Sequence, residues 1–319
     1  MGKPILEIKN LRKVFNKDLL KKAFVAVDDL TCSFEAGQCT GLMGHNGAGK
    51  TTTIRSIFGL VRPDKGEILF EGKAITQKDK KLIGYMPEIN KLPLNLTPEE
   101  ILSYQLHIFD IKAIKRKHHR DLIKEKLEQV ELWKHKNKKV KELSKGMARR
   151  LAWAQATIHK PELIILDEPF SGLDPLGRQL LNHLINGMRI EKTSIILCTH
   201  ELGSASELAD KLYILNRGKL VYSSSEHPDQ IDKTPDFELT IAGCSSEYLD
   251  QVAAKFKLPE WSFRDEHGYH QKLWFKDYTY ACAWMKACVD DGIIITNFSK
   301  SHQFNESQLI TFFSEAKGA

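Results

Sequence analysis

The 319-residue sequence predicts an α/β fold in which a largely parallel sheet is covered by helices. Two mainly apolar runs, Leu163–Leu166 and Ser194–Thr199, have the length of buried strands, and helical patterns follow both. A glycine-rich turn at residues 44–49 also separates a strand pattern from a helical one. Because apolar strands that alternate with helices are typical of parallel sheets covered on both faces, these three observations favour this fold class.

The first part of the chain is predicted to be mainly β-structure. Residues 4–15 alternate apolar and polar side chains with the period of a strand. Residues 16–23 predict a polar hairpin insertion. The remaining predicted elements of this part are strands at 24–34, 38–43, 67–70 and 82–85 and a helix within residues 44–60.

A helical insert is predicted at about residues 92–150. Thr97 to Glu100 form a helix start, with threonine as the N-cap, proline at the first helical position and acids in the first turn. Residues 112–145 of this insert are rich in Lys, Arg and His. Interspersed acids favour a solvated helix face, attraction to anionic lipid is the second interpretation, and nucleic acid comes last because aromatic residues are not interleaved.

The composition changes near residue 225, which predicts two domains. Residues 1–224 form the larger domain, and the Ser-, Pro- and Asp-rich residues 225–235 form a linker. Residues 236–319 predict a small α+β accessory domain whose elements follow the order β-α-β-β-α-β, with a last helix at 305–316. This order is the ferredoxin-like one.

Composition limits the classes of protein that the chain can represent. It is 42% hydrophobic and 28% charged, with a net charge of +6, as in ordinary globular proteins. No run approaches the about eighteen apolar residues of a membrane span, and the N-terminus lacks a secretory pattern, so we expect a cytosolic protein. The six cysteines form no Cys-x-x-Cys pair, which favours free thiols over a disulfide framework or a metal site.

Residues 44–51 match the phosphate-binding pattern G-x-x-x-x-G-K-[ST] between a strand and a helix. Glycines let successive backbone N–H groups point at an anion, and the helix N-terminus adds a favourable dipole. Lys50 is placed to reach the β- and γ-phosphates of ATP, and the Thr51 hydroxyl is placed to bind Mg²⁺. The predicted ATP-binding residues of this loop are Gly44, His45, Asn46, Gly47, Ala48, Gly49, Lys50, Thr51 and Thr52.

Three further candidates follow the two apolar strands. Asp167 and Glu168 end the first, and His200 follows the second. Since ligands of open α/β sheets bind at the carboxyl ends of the strands, we expect all three near the phosphates. Asp167 is suited to the Mg²⁺ shell, Glu168 to orienting or deprotonating the attacking water, and His200 to contacting the γ-phosphate.

The remaining motifs resemble those of one family. Residues 143–147, LSKGM, resemble the LSGGQ signature of ABC ATPases, and residues 171–174 resemble their D-loop. Residues 86–88 lie where the family has its Q-loop, and Phe15 lies where an aromatic residue stacks on adenine. These motifs cover residues 5–221, and the chain resembles the ATP-binding subunits of ABC transporters.

The resemblance implies a P-loop NTPase core with an antiparallel β subdomain and a helical insert. It also implies that two cassettes pair head to tail, so that phosphates held by one chain are covered by the signature of the other. In this arrangement Asp174 communicates between the two sites, and Glu88 joins Thr51 and Asp167 near Mg²⁺. The signature residues implied to act in the partner's site are Ser144, Lys145, Gly146 and Met147.

Three residues depart from the usual family motifs in a way that resembles one subfamily. Lys145 and Met147 replace a signature glycine and glutamine, and Glu88 replaces the Q-loop glutamine. The motif sequences that contain these residues are similar to those of drug, sodium and polysaccharide exporter ATPases. The acidic-hydrophobic residues 306–313 are similar to a C-terminal segment of the same ATPases. The resemblance therefore implies export by an integral membrane permease. The chain would act as a homodimer, or with a related ATPase subunit, on the cytoplasmic face of the inner membrane.

Two other functions remain alternatives. The first is a soluble ABC ATPase that acts on the ribosome or on nucleic acid. Family members of this kind carry two cassettes or a long coiled coil, whereas this chain has one cassette and a modest insert, so we expect no nucleic-acid partner. The second is an ATPase without turnover, which the presence of Lys50, Glu168 and His200 disfavours.

Overall fold

The computed structural model describes residues 3–15, 23–109, 118–224, 237–243, 245–256, 263–267, 270–275 and 278–300. The predicted linker, the last helix and all but residue 23 of the hairpin insertion lie outside these described residues. Contacts divide the described chain into two compact units, one ending at residue 224 and the other beginning at residue 237.

The first unit contains ten strands and six α-helices in its described residues. The strands are β1 (Pro4–Phe15), β2 (Phe24–Glu35), β3 (Cys39–Met43), β4 (Lys65–Phe70), β5 (Lys73–Ala74), β6 (Ile83–Met86), β7 (Leu163–Asp167), β8 (Ser194–Thr199), β9 (Lys211–Asn216) and β10 (Lys219–Ser223). The helices are α1 (Lys50–Ile57), α2 (Pro98–Phe109), α3 (His119–Gln129), α4 (Lys145–Thr157), α5 (Pro175–Ile190) and α6 (Leu202–Leu208).

A six-stranded sheet in the order β10-β9-β3-β8-β7-β6 forms the centre of this unit. All its neighbours pair in parallel except β10, which is antiparallel to β9. Every residue of β3, β7 and β8 is buried, as expected for central strands with both faces covered. The pairs Met43–Thr199 and Asp167–Cys198 align the carboxyl ends of these strands, which brings the residues after them together.

A second sheet, in the antiparallel order β2-β1-β4-β5, forms the β subdomain. Its inner side chains, which include Leu6, Ile8 and Phe34, share one apolar cluster with Leu42 of β3 and Ile54 of α1. This cluster fixes the antiparallel sheet beside the phosphate-binding loop between β3 and α1. The predicted fold class of the core is thus confirmed.

The helical insert contains α2, α3 and the start of α4. Its first helix begins where the sequence predicts: the Glu100 backbone N–H donates to Thr97 Oγ1 at 3.3 Å, and the Thr97 N–H donates to Glu100 Oε2 at 2.8 Å. This reciprocal pair is a capping box. The described part of the basic stretch is consistent with a solvated face, because Lys124 and Glu128 form an exposed i,i+4 pair at 3.9 Å.

The second unit contains β11 (Phe237–Ala242), α7 (Ser246–Phe256), β12 (Phe263–His267), β13 (His270–Phe275), α8 (Tyr278–Asp290) and β14 (Ile294–Lys300). This is the predicted β-α-β-β-α-β order. Its strands form an antiparallel sheet in the order β12-β13-β11-β14. Leu239, Phe275 and Trp284 belong to its apolar core. In neither unit do the described residues include a helix long and apolar enough to cross a bilayer.

His159 is a buried titratable residue that lies just after α4. It is 9% exposed, and its ring stacks on Phe109 with the ring centres 4.0 Å apart. Burial lowers the pKa of His159 from 6.5 to about 4. Between these values the unfolded chain binds a proton that the folded chain does not. The stability that depends on neutral His159 is therefore complete above pH 6.5 and is lost as the pH falls towards 4.

We expect this residue to make unfolding pH-dependent. The free energy of unfolding should fall by about 2 kcal/mol more in the unsubstituted protein than in His159→Leu between pH 7 and pH 5. Urea denaturation of both proteins at the two pH values measures the difference. Equal losses would show that another group causes the pH dependence.

Candidate functional site

The glycine-rich loop joins the end of β3 to the start of α1. Gly49 is its N-cap and has φ of 110°, and a Cβ at this position would lie 2.7 Å from the carbonyl oxygen of Ala26. Glycine is therefore required there by both conformation and space. The side chain of Lys50 is 6% exposed, and its Nζ donates to the carbonyl oxygens of Gly44 and His45. The ammonium group is held inside the loop, where it can face an anion.

A cleft, here called the phosphate cleft, opens over this loop. It is lined by residues 45–52 of the loop, by Glu88, Asp167 and Glu168, and by Phe24 and Ala26. The fold thus brings the loop together with the acidic pair and with the predicted Q-loop residue.

The predicted contact between Phe15 and adenine stays a prediction. Phe15 is not among the described residues that line the phosphate cleft, whereas Phe24, its cross-strand partner, is. Phe24 and Ala26 are two residues apart and lie on the same face of β2, which is why they line the cleft together.

Glu168 lies at the centre of the catalytic candidates. Its carboxylate is 7% exposed; Oε1 lies 2.8 Å from His200 Nδ1 and 3.7 Å from Lys50 Nζ, and Oε2 accepts from Thr199 Oγ1 at 3.3 Å. The structure therefore joins Lys50, Glu168 and His200, which are far apart in the sequence. A buried carboxylate between a cation and an imidazole is suited to orient and deprotonate a water molecule.

Asp167 is the second carboxylate of the cleft. Burial, together with repulsion from Glu88 and Glu168, raises the pKa of Asp167 to about 6. Tyr85 donates a hydrogen bond from its hydroxyl to Asp167 Oδ2 at 3.4 Å. Burial and the two neighbouring carboxylates both disfavour the charged form of Asp167, and a bound cation would favour it.

The predicted magnesium ligands fit a cation that a nucleotide shares. The described residues include no group of three or more His, Cys, Asp or Glu side chains arranged to hold a metal ion alone. Mg²⁺ in nucleotide sites, however, takes only one or two carboxylates and completes its shell with phosphates and water. Thr51, Asp167 and Glu88 line the same cleft, so a hydroxyl and two carboxylates are available for this purpose.

We expect Mg²⁺ binding in the presence of ATP to weaken in acid. Asp167 is largely protonated below pH 6, and a protonated carboxyl group is a poor ligand. In Asp167→Asn, any loss of Mg²⁺ affinity between pH 7.5 and pH 5 reports the protonation of ATP itself. In the unsubstituted protein, the apparent Mg²⁺ affinity should fall about tenfold more than this over the same pH range. Calorimetric Mg²⁺ titrations of both proteins measure this, and identical pH dependence would contradict the assignment.

The signature residues lie in a different cleft of the first unit, here called the signature cleft. Ser144, Lys145, Gly146 and Met147 line it together with Asp174. Ser144 is the N-cap of α4, with its Oγ accepting from the Met147 N–H at 3.2 Å. Asp174 caps α5 by accepting from the Gly177 N–H at 2.8 Å. No lining residue is shared with the phosphate cleft.

A bidentate ion pair connects the two loops that carry Asp174 and His200. Arg178 Nη1 and Nη2 donate to the two carboxylate oxygens of Glu201 at 2.9 and 2.8 Å. Arg178 belongs to the helix that Asp174 caps, and Glu201 directly follows His200. This pair was not predicted from the sequence, because its partners are distant in the chain and each residue alone is typical of a surface.

Comparisons with known proteins agree with these motifs. A family model described as ABC transporter matches residues 27–171. The uncharacterized ABC transporter ATP-binding protein YhaQ of Bacillus subtilis is 38% identical over 201 residues, which are 62% of this chain and 65% of that protein. The Nod factor export ATP-binding protein I of Burkholderia lata is 32% identical over 225 residues, 70% of this chain and 71% of that protein. The matched part of this chain thus spans slightly less than two-thirds of the length of the first relative and slightly more than two-thirds of the length of the second.

Solved structures show the same fold. The structure of an ATP-binding subunit of an ABC transporter aligns with 71% of this chain and 93% of its own chain, with a TM-score of 0.62 and 28% identity.

Proposed function

This chain belongs to the ABC transporter ATP-binding protein family and carries its ATPase domain, and we propose that it hydrolyses ATP to drive a separate membrane permease. The observation that carries the proposal is the meeting of Lys50, Glu168 and His200 at the phosphate cleft. Each group in this cleft has a chemistry that phosphoryl transfer to water requires.

In the proposed reaction the loop amides and Lys50 bind the β- and γ-phosphates of ATP. The Glu168 carboxylate orients the attacking water and accepts its proton, and His200 fixes the carboxylate and contacts the γ-phosphate. Phe15 stacks on the adenine base, and Phe24, which lines the phosphate cleft, adds a second apolar surface. Thr51, Asp167 and Glu88 would hold Mg²⁺, which neutralises charge on the phosphates when bound.

We propose that the working unit is a head-to-tail dimer. The support is that the signature cleft and the phosphate cleft share no residue, although both belong to the first unit. In the dimer, the N-terminus of α4, capped by Ser144, faces the γ-phosphate bound to the other chain and stabilises its negative charge. The second chain is an identical copy or a related ATPase subunit.

The permease contact is proposed near Glu88, in the cleft between the core and the helical insert. Ile89 and Leu94 follow Glu88 in the chain and are 71% and 63% exposed. A partner that binds these exposed apolar side chains would move the segment that carries them. Because Glu88 belongs to the same segment and lines the phosphate cleft, this movement would change the cleft. Similarity to the Nod factor export relative supports export as the direction, with the chain on the cytoplasmic face of the inner membrane.

The proposal is tested by purifying the tagged protein from detergent-solubilised membranes of its own cell. We expect an integral membrane protein with several spans to be recovered in stoichiometric amount. Ile89→Asp should reduce this recovery, whereas Leu60→Asp, at a site that is 73% exposed, should not. Recovery only from the soluble fraction with ribosomes or nucleic acid would overturn the transport function.

A further inference from the structure

A buried arginine, Arg149, connects the helix that begins at the signature with both loops of the phosphate cleft. It lies in α4 and is 4% exposed. Its guanidinium group has six acceptors, all of them neutral oxygens. They are the backbone carbonyl oxygens of Pro87, Glu88, Asp167, Glu168 and Pro169 and the side-chain oxygen of Asn90.

The acceptors belong to two loops that follow neighbouring parallel strands. Nη1 donates to Pro87, Glu88 and Asn90, after β6, with the Glu88 carbonyl oxygen at 2.8 Å. Nε donates to the Pro169 carbonyl oxygen at 3.0 Å, and Nη2 donates to residues 167 and 168, after β7. Because the five N–H groups of a guanidinium point in fixed directions within one plane, they hold both loops in one arrangement relative to α4.

This arrangement acts on the backbone of Glu168. The residue has φ of 46°, in the left-handed region that residues with a side chain rarely adopt. Such a conformation persists only where surrounding contacts hold it. Nη2 donates to the carbonyl oxygens of both Asp167 and Glu168, which flank the φ and ψ bonds of Glu168. Together with the Glu168 N–H, which donates to the Cys198 carbonyl oxygen at 2.8 Å, Nη2 holds the conformation in which the carboxylate contacts His200 and Lys50.

We propose that Arg149 is a positioning residue for ATP hydrolysis, which sets the Glu168 carboxylate and keeps the Glu88 loop in register with it. The inference rests on the proposed ATPase function and goes beyond it, because Arg149 contacts the catalytic loops only through their backbone and Asn90. Through α4, the same guanidinium links the catalytic glutamate to the signature that serves the other chain. Movement at the Glu88 loop would thus be transmitted to Glu168.

The test uses Arg149→Gln, Arg149→Lys and a matched control, Arg189→Gln. Arg189 lies in α5 and pairs with Asp210 at 2.6 Å, so its substitution also removes a hydrogen-bonded guanidinium. We expect Arg149→Gln to lower kcat about 100-fold, with KM for ATP changed by less than about threefold because the phosphate loop is intact. Arg149→Lys keeps the charge and part of the donor set, so its kcat should lie between those of the unsubstituted protein and Arg149→Gln. The control should retain the kcat of the unsubstituted protein.

A double-substitution cycle separates positioning from a general loss of structure. If Arg149 acts through Glu168, Arg149→Gln should lower the residual rate of Glu168→Gln by much less than 100-fold. Rates are divided by the amount of protein that binds ATP, and Arg149→Lys replaces the glutamine variant in the cycle if the latter does not fold. An unchanged kcat per binding-competent molecule, or an equal loss in both backgrounds, would overturn the inference.

The outcomes also distinguish this inference from the proposed function. If the unsubstituted protein does not hydrolyse ATP, both the proposed function and the positioning role of Arg149 are wrong. If hydrolysis depends on Glu168 but not on Arg149, only the positioning role is wrong.

Discussion

Replacing Glu168 with glutamine is expected to lower the rate of ATP hydrolysis about 10²- to 10⁴-fold while ATP still binds. The amide keeps the size of the side chain, so the contacts with His200 and Thr199 can persist. It cannot accept a proton from water, and it carries no charge to orient that water. Because hydrolysis is what reopens the proposed dimer, Glu168→Gln should accumulate as an ATP-bound dimer.

Phosphate release and size-exclusion chromatography with and without ATP measure the two effects. Glu162→Gln is a suitable control, since Glu162 directly precedes the same strand and is exposed. Hydrolysis at the normal rate in Glu168→Gln would show that another group activates the water.

Replacing Lys50 with alanine should weaken ATP binding about 10- to 100-fold and lower hydrolysis by at least about 10²-fold. The side chain is 6% exposed and lies inside the phosphate loop, so its charge is poorly screened by water. Its loss removes a donor to the phosphates and a cation 3.7 Å from the Glu168 carboxylate. The effect on the rate should exceed the effect on binding, because the negative charge on the phosphates and on Glu168 must be balanced during the reaction.

Binding of a fluorescent ATP analogue and phosphate release give the two quantities separately. Lys65→Ala, at an exposed position of β4, controls for the loss of one lysine. Equal ATP affinity in the two variants would contradict the role of Lys50.

Much of the site could be predicted from the sequence because its residues occupy strand and helix ends. A parallel strand must end at the same edge of the sheet as its neighbours, so the positions of Asp167, Glu168 and His200 follow from the strands before them. Caps are equally local: Thr97 accepts from the N–H group three residues later, as the spacing predicts.

Contacts between distant segments could not be predicted in this way. Arg149 lies among alanine and apolar residues on α4, and nothing in that pattern shows that five carbonyl oxygens from two other loops meet its guanidinium. The place of Phe24 in the lining of the phosphate cleft has a similar cause, since the sequence does not show how β2 lies relative to the glycine-rich loop.

The separation of the phosphate cleft from the signature cleft also has a kinetic consequence. If each catalytic centre is assembled from two chains, free chains should turn over ATP at a rate that rises with the square of their concentration while most are monomers. A permease that holds two chains side by side replaces this encounter with an intramolecular one, at an effective concentration of about millimolar for short connections. A chain that has not found its membrane partner would then consume little ATP, and the cell would need no separate inhibitor to keep it idle.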